Sequence, residues 1–387
     1  MRRNNIITTV IFCVLIGVIT VASMVNPVRE YSETENRTLA QMPKFTLDAL
    51  FDGSFTADYE EFITDQFVLR DKWITVKNYT ELALGKKESG GVFFADDGYL
   101  IEKHEPDEQL IDTNIGYIKK FLAYAKDKYN TRVLIAPTAS LILSDKLPSF
   151  APVWDQGGLL DRLSQLDGFV DCREILNEYA HLDDDRTLTS YVGERDLIYY
   201  RTDHHWTTTG AYYAYTVLCE SLGITPIELS DFTRTVLSDQ FYGTLAAKVN
   251  IDSEPDVLYT LDTDLPLRVD YNMGAKVTDT LYERSHLETR SKYSTFLDEN
   301  QPLVEITTGN KNGKTLLMIK DSYAHCMVPM LVNHYERVIL FDLRGLTGGV
   351  ISNFIPMFEK DGEIDDIVIL YNAENFTEDK NLIKLTK

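Results

Sequence analysis

Two short stretches of this 387-residue chain hold the residue types needed to move a proton on and off a hydroxyl. The first, Tyr199-Tyr200-Arg201-Thr202-Asp203-His204-His205-Trp206-Thr207, places a carboxylate two residues before an imidazole. A carboxylate bonded to one ring nitrogen fixes the tautomer and stabilises the imidazolium, leaving the other nitrogen to take a proton from a nucleophile. Asp203 and His205 suit that pairing. Two other readings stand beside it: Asp203, His204 and His205 are also metal-ligand types, and Trp206 with its neighbouring tyrosines is also a plain helix-lining core. The second stretch, Lys314-Thr315-Leu316-Leu317-Met318-Ile319-Lys320-Asp321-Ser322-Tyr323-Ala324-His325, runs from apolar residues abruptly into Asp-Ser.

These residues need elements to position them. The apolar run reads as a buried strand whose C-terminal end turns into a helix, the place where ligands gather in open α/β sheets. Ser322 is then a candidate nucleophile, and its backbone N–H at a helix start can donate to an oxyanion; N-capping that helix is a second job open to it. Thr207 or Thr208 is the expected N-cap of a helix reaching Leu222. Upstream, Gly91 to Ile101 reads as a hairpin around Asp97-Gly98. Ile111, Ile115, Ile118, Leu122 and Ala125 share one helical face before the strand Arg132 to Ala136. Leu159 to Leu166 reads as a helix ahead of a short strand at Phe169 to Asp171. Strands follow at 337–341 and 366–370. This alternation implies an α/β fold with a mainly parallel sheet covered on both faces. Residues 226–313 lose the helical period and read as an insertion over the active-site face, where Tyr242 and Tyr271 are candidates for stacking on sugar or for packing. Arg344 and Asn372 sit at strand ends facing the same side as Ser322, open to binding an acyl or sugar oxygen or to capping.

Taken together, Arg201-Thr202-Asp203-His204-His205-Trp206-Thr207, Asp321-Ser322-Tyr323 and a lead-in Ser32-x-x-Glu35-Asn36-Arg37-x-Leu39 resemble the DHHW protein family. Through it the chain resembles the SGNH hydrolase-like proteins that O-acetylate bacterial exopolysaccharides such as alginate. The resemblance implies an SGNH-like three-layer fold, with Ser322 as nucleophile, His205 as general base, Asp203 as its orienter and His204 at a variable position. Tyr323 joins Arg344, Asn372 and Tyr242 as a candidate substrate contact. Two departures from ordinary SGNH enzymes stand out. The acid/base pair precedes the Ser, a permuted order, and Lys320 occupies the Gly position of Gly-Asp-Ser, removing a residue tolerant of φ > 0. The implied activity is acetyl transfer to a cell-surface polysaccharide, with no metal or other cofactor. Because acetyl-CoA is cytoplasmic, a membrane-embedded acyl-carrier partner is implied as well. A carbohydrate esterase with the same triad, and a non-catalytic glycan-binding scaffold, are the alternatives.

A net charge of −22 argues against nucleic acid, whose phosphates need clustered Lys and Arg. Residues 1–5 carry Arg2 and Arg3 and read as a cytoplasmic tail, and 6–25 form an uncharged run long enough to span a bilayer. A cleaved signal peptide competes with the anchor, but Ala22-Ser23-Met24 makes a poor small-x-small site. With that orientation, residues 26–90 are a helical lead-in outside the cell and 91–387 the SGNH-like domain. Phe51 to Leu84 suits a helical pair, with Asp65, Arg70 and Asp71 in a structural ion network. Cys13 lies in the apolar run, and Cys172, Cys219 and Cys326 read as buried thiols rather than a disulfide framework.

Overall fold

The computed structural model describes residues 2–32, 37–181 and 197–386. Glu35 and Asn36 of the lead-in pattern lie outside the described residues. The chain divides into two compact units, Met1–Gly90 with Ala246–Asp252, and Gly91–Leu245 with Ser253–Lys387.

The first unit begins with helix α1 (Arg2–Val25), followed by α2 (Leu47–Phe51), α3 (Ser54–Asp65) and α4 (Arg70–Ala83). Within α1, Asn5–Val25 is long and apolar enough to cross a membrane. Asp65 is buried, accepts from the Ala40 N–H at 2.8 Å and pairs with Arg70 at 3.6 Å, while Asp71 pairs with Arg29 at 2.9 Å.

The second unit is built on one seven-stranded sheet. Its strands are β1 (Asn130–Ala136), β2 (Leu267–Tyr271), β3 (Lys276–Thr278), β4 (Leu303–Thr308), β5 (Thr315–Lys320), β6 (Arg337–Phe341) and β7 (Asp366–Asn372), in the order β3-β2-β4-β6-β5-β7-β1. The expectation of a mainly parallel sheet needs correction. β6-β5, β5-β7 and β7-β1 pair in parallel, whereas β3-β2, β2-β4 and β4-β6 are antiparallel. The reason is visible in the segment that supplies β2, β3 and β4. It has no crossover helix of the kind a parallel pair requires, so its strands add to the sheet edge antiparallel. Residues 226–313 are thus in part the sheet itself rather than an insertion over one face, and Tyr271, 3 % exposed in β2, is core.

Side chains alternate along β5: Leu316 and Met318 enter one apolar core, Leu317 and Ile319 the other. The second core takes α5 (Glu108–Ala125), through Ile111, Ile115, Ile118 and Phe121, and α6 (Gln156–Leu163), through Leu159, Leu160 and Leu163. The first core takes α7 (Thr208–Leu222), whose residues from Ala211 to Tyr215 are all buried. The sheet is therefore the middle of three layers. Strands Val92–Phe94 and Leu100–Glu102 pair antiparallel around Asp97 and Gly98, both at positive φ. The C-terminal ends of β1, β5, β6 and β7, being parallel, share one edge of the sheet, and the chemistry-bearing residues stand there.

Candidate active site

β5 ends at Lys320, and the chain turns at Asp321 into a short 3-10 helix, Ser322–Cys326. Asp321, not Ser322, is the cap, accepting from the Tyr323 N–H at 2.9 Å. Its other carboxylate oxygen accepts from the Asn372 N–H at 2.8 Å, Asn372 Nδ2 at 2.7 Å and Asn375 Nδ2 at 3.0 Å, so it ties the ends of β5 and β7 together. Burial raises the Asp321 pKa against the pull of Arg344 and these donors. With capping done by its neighbour, the Ser322 hydroxyl is free for other work. Among the described residues no acceptor takes the Ser322 backbone N–H.

The position expected to need glycine does not. Lys320 is ordinary strand, absent from the positive-φ residues. Its side chain is fully buried, its ammonium donates to His325 Nε2 at 2.7 Å and lies 3.7 Å from Asp342 at the end of the neighbouring strand β6. Burial lowers the Lys320 pKa to about 8 despite the attraction of Asp342, and drives His325 well below the usual histidine range, so His325 is a neutral acceptor.

The second arm comes from a loop without regular structure. Thr202 donates through its N–H and Oγ1 to buried Asp256, at 2.8 and 2.6 Å, and the Arg201 N–H adds a third bond at 2.9 Å. The Gly243 N–H donates to Thr202 Oγ1 at 3.0 Å, which brings residues 243 and 244 against Asp203. A Cβ on Gly243 would lie 2.2 Å from the Asp203 Cβ, so only glycine fits this approach. Thr207 caps α7, accepting from the Gly210 N–H at 3.1 Å, and fully buried Trp206 donates to the Tyr323 carbonyl at 2.8 Å. That last bond fastens the loop to the Ser322 turn.

In the resulting geometry His205 Nε2 lies 2.8 Å from Ser322 Oγ, and His205 Nδ1 lies 2.5 Å from Asp203 Oδ1. Asp203 also accepts from the backbone N–H groups of His205 at 3.0 Å and Thr244 at 2.8 Å, and from Thr244 Oγ1 at 3.1 Å. Burial works to raise the Asp203 pKa, but the two imidazoles and these donors outweigh it and hold the carboxylate ionised well below its usual range. For His205 burial dominates, helped by His204 and opposed by Asp203, and brings its pKa down to about 4. A neutral His205 with Nδ1–H donating to Asp203 leaves Nε2 to accept the Ser322 proton. The Tyr293 ring stacks on His205 at 3.9 Å and 13°, and its hydroxyl donates to the Ser322 carbonyl at 3.2 Å.

His204 diverges from its neighbour. Its Nδ1 lies 2.7 Å from Thr244 Oγ1, which donates onward to Asp203, so His204 is the donor to that hydroxyl. Asp203, His204 and His205 are, among the described residues, the group whose atoms converge as a metal site would need, within 4.8 Å. In this arrangement both His205 nitrogens, both Asp203 oxygens and His204 Nδ1 are engaged in hydrogen bonds, and a metal would have to displace them.

Four other expected contacts sort differently. Arg344 is about a third exposed, its Nε and Nη2 held by Asp342 at 2.9 and 2.6 Å, with Nη2 also on Asn300 Oδ1 at 3.0 Å. Tyr242 is half-buried beside Gly243. Asn372 and Tyr323 are buried and bonded within the protein. Asn372 caps Ala373–Glu378, accepting from the Asn375 N–H at 2.9 Å while its amide donates to Asp321. Tyr323 is fully buried, its hydroxyl donating to the His204 carbonyl at 2.5 Å, because the apolar space between turn and loop claims the ring. Tyr293, Thr244 and Asp256 carried no signal in sequence, since each acts across the fold from a segment without period.

Residues 187–341 match the family described as DHHW protein. No match is found among curated proteins. A DHHW family protein from Eubacterium siraeum has a similar structure, with TM-score 0.61 at 23% identity, over 77% of this chain and 96% of that one. Bacillus cereus PatB1 with a sulfonyl adduct has TM-score 0.58 at 19% identity, over 76% and 100%. A second structure of PatB1 gives 0.57 at 20%, over 75% and 98%. At these identities the structures share the fold. The segment that matches the DHHW family carries Asp203, His205 and Ser322.

Proposed function

We propose that this protein is a membrane-anchored, extracytoplasmic O-acyltransferase that moves an acyl group, acetyl by the family resemblance, to a polysaccharide hydroxyl through Ser322, His205 and Asp203. The observation that carries the reading is the buried chain Ser322 Oγ to His205 Nε2 to His205 Nδ1 to Asp203, at 2.8 and 2.5 Å. Nucleophile, base and orienter are all within hydrogen-bond reach. In the first half-reaction Ser322 Oγ attacks the donor's carbonyl carbon as its proton passes to His205 Nε2. Collapse of the tetrahedral intermediate expels the donor alkoxide, which recovers that proton and leaves acyl-Ser322. In the second, His205 takes the proton of the acceptor hydroxyl, whose oxygen attacks the acyl carbon, and Ser322 leaves reprotonated. The uncommitted Ser322 N–H is a donor suited to the oxyanion in both steps, and Asp203 offsets the imidazolium charge between them. The apolar helix ending at Val25 is the anchor in this reading, and the acyl donor reaches the site from a membrane-bound partner.

Mass spectrometry of the protein incubated with an acetyl ester donor tests the reading. Acetyl on the Ser322 peptide that transfers to added polysaccharide supports transfer, and acetyl lost at the same rate with or without sugar makes the protein an esterase. PatB1, which shares the fold, has been captured with a sulfonyl adduct, so a sulfonyl fluoride is a second probe. A Ser322 left unmodified by both reagents would overturn the proposal in favour of a scaffold.

A further inference from the structure

Helix α4 is inside out. Its residues Asp71, Thr75 and Asn78 face the rest of its own unit: Asp71 pairs with Arg29, Asn250 Nδ2 donates to Thr75 Oγ1 at 2.7 Å and to the Asp71 carbonyl at 3.1 Å, and Asn78 donates to the Val249 carbonyl. The opposite face, Leu69, Trp73 and Val76 at helical spacing i, i+4, i+7, is apolar and 65%, 50% and 57% exposed. A water-facing helix has the reverse arrangement. Apolar side chains outward and polar ones inward is the pattern of a surface that meets lipid.

The same unit shows where this face lies. The corner between α3 and α4 is fastened to the end of α1: the Val68 N–H donates to Ser23 Oγ at 3.4 Å, Gln66 exchanges bonds with the backbone of Arg29 at 2.9 and 2.8 Å, and Asn26 Nδ2 donates to the Gln66 carbonyl at 3.4 Å. Ser23 belongs to the apolar span Asn5–Val25, so Leu69 begins its stripe at the level where that span would leave the bilayer. Ile63 at the end of α3, and Phe45, Leu47 and Phe51 around α2, add exposed apolar side chains to the unit. Trp73 is of the residue type that settles at the membrane–water interface. We infer that the α3–α4 corner, through Leu69, Trp73 and Val76, docks in the interfacial layer of the lipid bilayer, making the first unit a foot on the membrane as well as an anchor in it. The inference rests on reading α1 as a retained membrane span.

The full-length protein, in nanodiscs of phosphatidylcholine with or without brominated acyl chains, provides the test through tryptophan emission. Bromine quenches a fluorophore only in contact with the chains, and one of the three tryptophans would be in reach, so up to about a third of the emission should be lost. Trp73→Phe should abolish the quenching, since Trp206 is fully buried and Trp154 is half-buried against the core of the second unit. Equal emission in brominated and plain discs, with the protein retained in them, overturns the inference while leaving the anchor intact, and assigns the stripe to a protein partner. Protein that does not remain with the discs, or that lacks α1 by mass, refutes both readings.

Discussion

The two arms of the site reach the same few ångströms by opposite means. The Ser322 turn is held by the sheet: β5 runs in parallel between β6 and β7, and one carboxylate, Asp321, binds the turn to the end of β7. The Asp203–His205 loop has no strand ladder beyond one antiparallel bridge, Tyr199 to Trp206. Side chains do much of the holding, Asp256 beneath Thr202 and Trp206 on the Tyr323 carbonyl, together with the Thr244 N–H on Asp203 and the Leu245 N–H on the Thr202 carbonyl. A turn set at the end of a strand ladder tolerates changes in its neighbours' side chains better than a loop that leans on them, which gives the two arms different weak points.

The largest effect tests whether they are one device. Ser322→Ala and His205→Ala should each lower acyl transfer by about 10³-fold or more, and the double variant should be little worse than either, since members of such a unit are strongly non-additive. Additive losses would mean two independent sites.

Next is the weak point of the loop. Gly243→Ala puts a methyl 2.2 Å from the Asp203 Cβ, and Asp203 is itself buried and bonded, so either Gly243 or the loop must shift. A displacement near 1 Å in a positioning residue costs on the order of 10²-fold in rate, with about 1–3 kcal/mol of stability from overpacking. Steady-state kinetics with thermal unfolding checks both, and unchanged kcat would show that Asp203 is not held as tightly as the geometry implies.

This asymmetry also explains what the sequence disclosed. The Ser322 arm was legible because an apolar run ending in Asp-Ser has a local cause, and so were the hairpin at Asp97-Gly98 and the helix over Ile111 to Ala125, whose signals are turn chemistry and period. The proposed base and its orienter, His205 and Asp203, stood out as Asp-x-His. The supports did not. Asp256, Thr244 and Tyr293 contact the site only after the chain folds back, from a segment whose strands join antiparallel and leave no helical period. The same blind spot produced the expectation of a mainly parallel sheet and the assignment of Tyr323 and Asn372 to substrate. Lys320 ran the other way: a break with a glycine pattern was visible, but only the extended backbone and the His325 and Asp342 partners show that it carries no strain.

The pH response separates the two arms electrostatically. Burial, with His204 adding to it, sets His205 near 4, whereas an ordinary histidine titrates at about 6.5. Catalysis needs the neutral ring, so kcat/KM should hold down to about pH 5 and fall as pH drops through 4, tenfold per unit below it. The stability sign follows. Between the folded and unfolded values the unfolded chain binds the extra proton, so His205 costs stability as pH falls from about 6.5 to 4. Asp203, whose folded value is depressed, contributes stability above the ordinary carboxylate range that is lost as pH falls below it. An acidic limb at the ordinary histidine value would mean that His205 is solvated in the working enzyme.

The smallest effect concerns His204, which shares a peptide bond with His205 and lies 3.9 Å from it ring to ring. Its Nδ1 supports Thr244 Oγ1 and does not reach Ser322 through any bond of its own. His204→Ala therefore removes one hydrogen bond separated from Ser322 by three others, through Thr244, Asp203 and His205, while Asp203 keeps the Thr244 N–H, the His205 N–H and the His205 ring. A neutral bond of this kind contributes about 0.5–1.5 kcal/mol, so activity should fall by about tenfold at most. The acidic limb should move upward, because His204 is one of the groups that lower the His205 value. Measuring kcat/KM against pH for both single variants puts the comparison in one experiment: a large loss at His205, and a small loss with a displaced limb at His204. Equal losses, reversed in both variants by added divalent metal, would instead make Asp203, His204 and His205 a metal centre and end the triad reading.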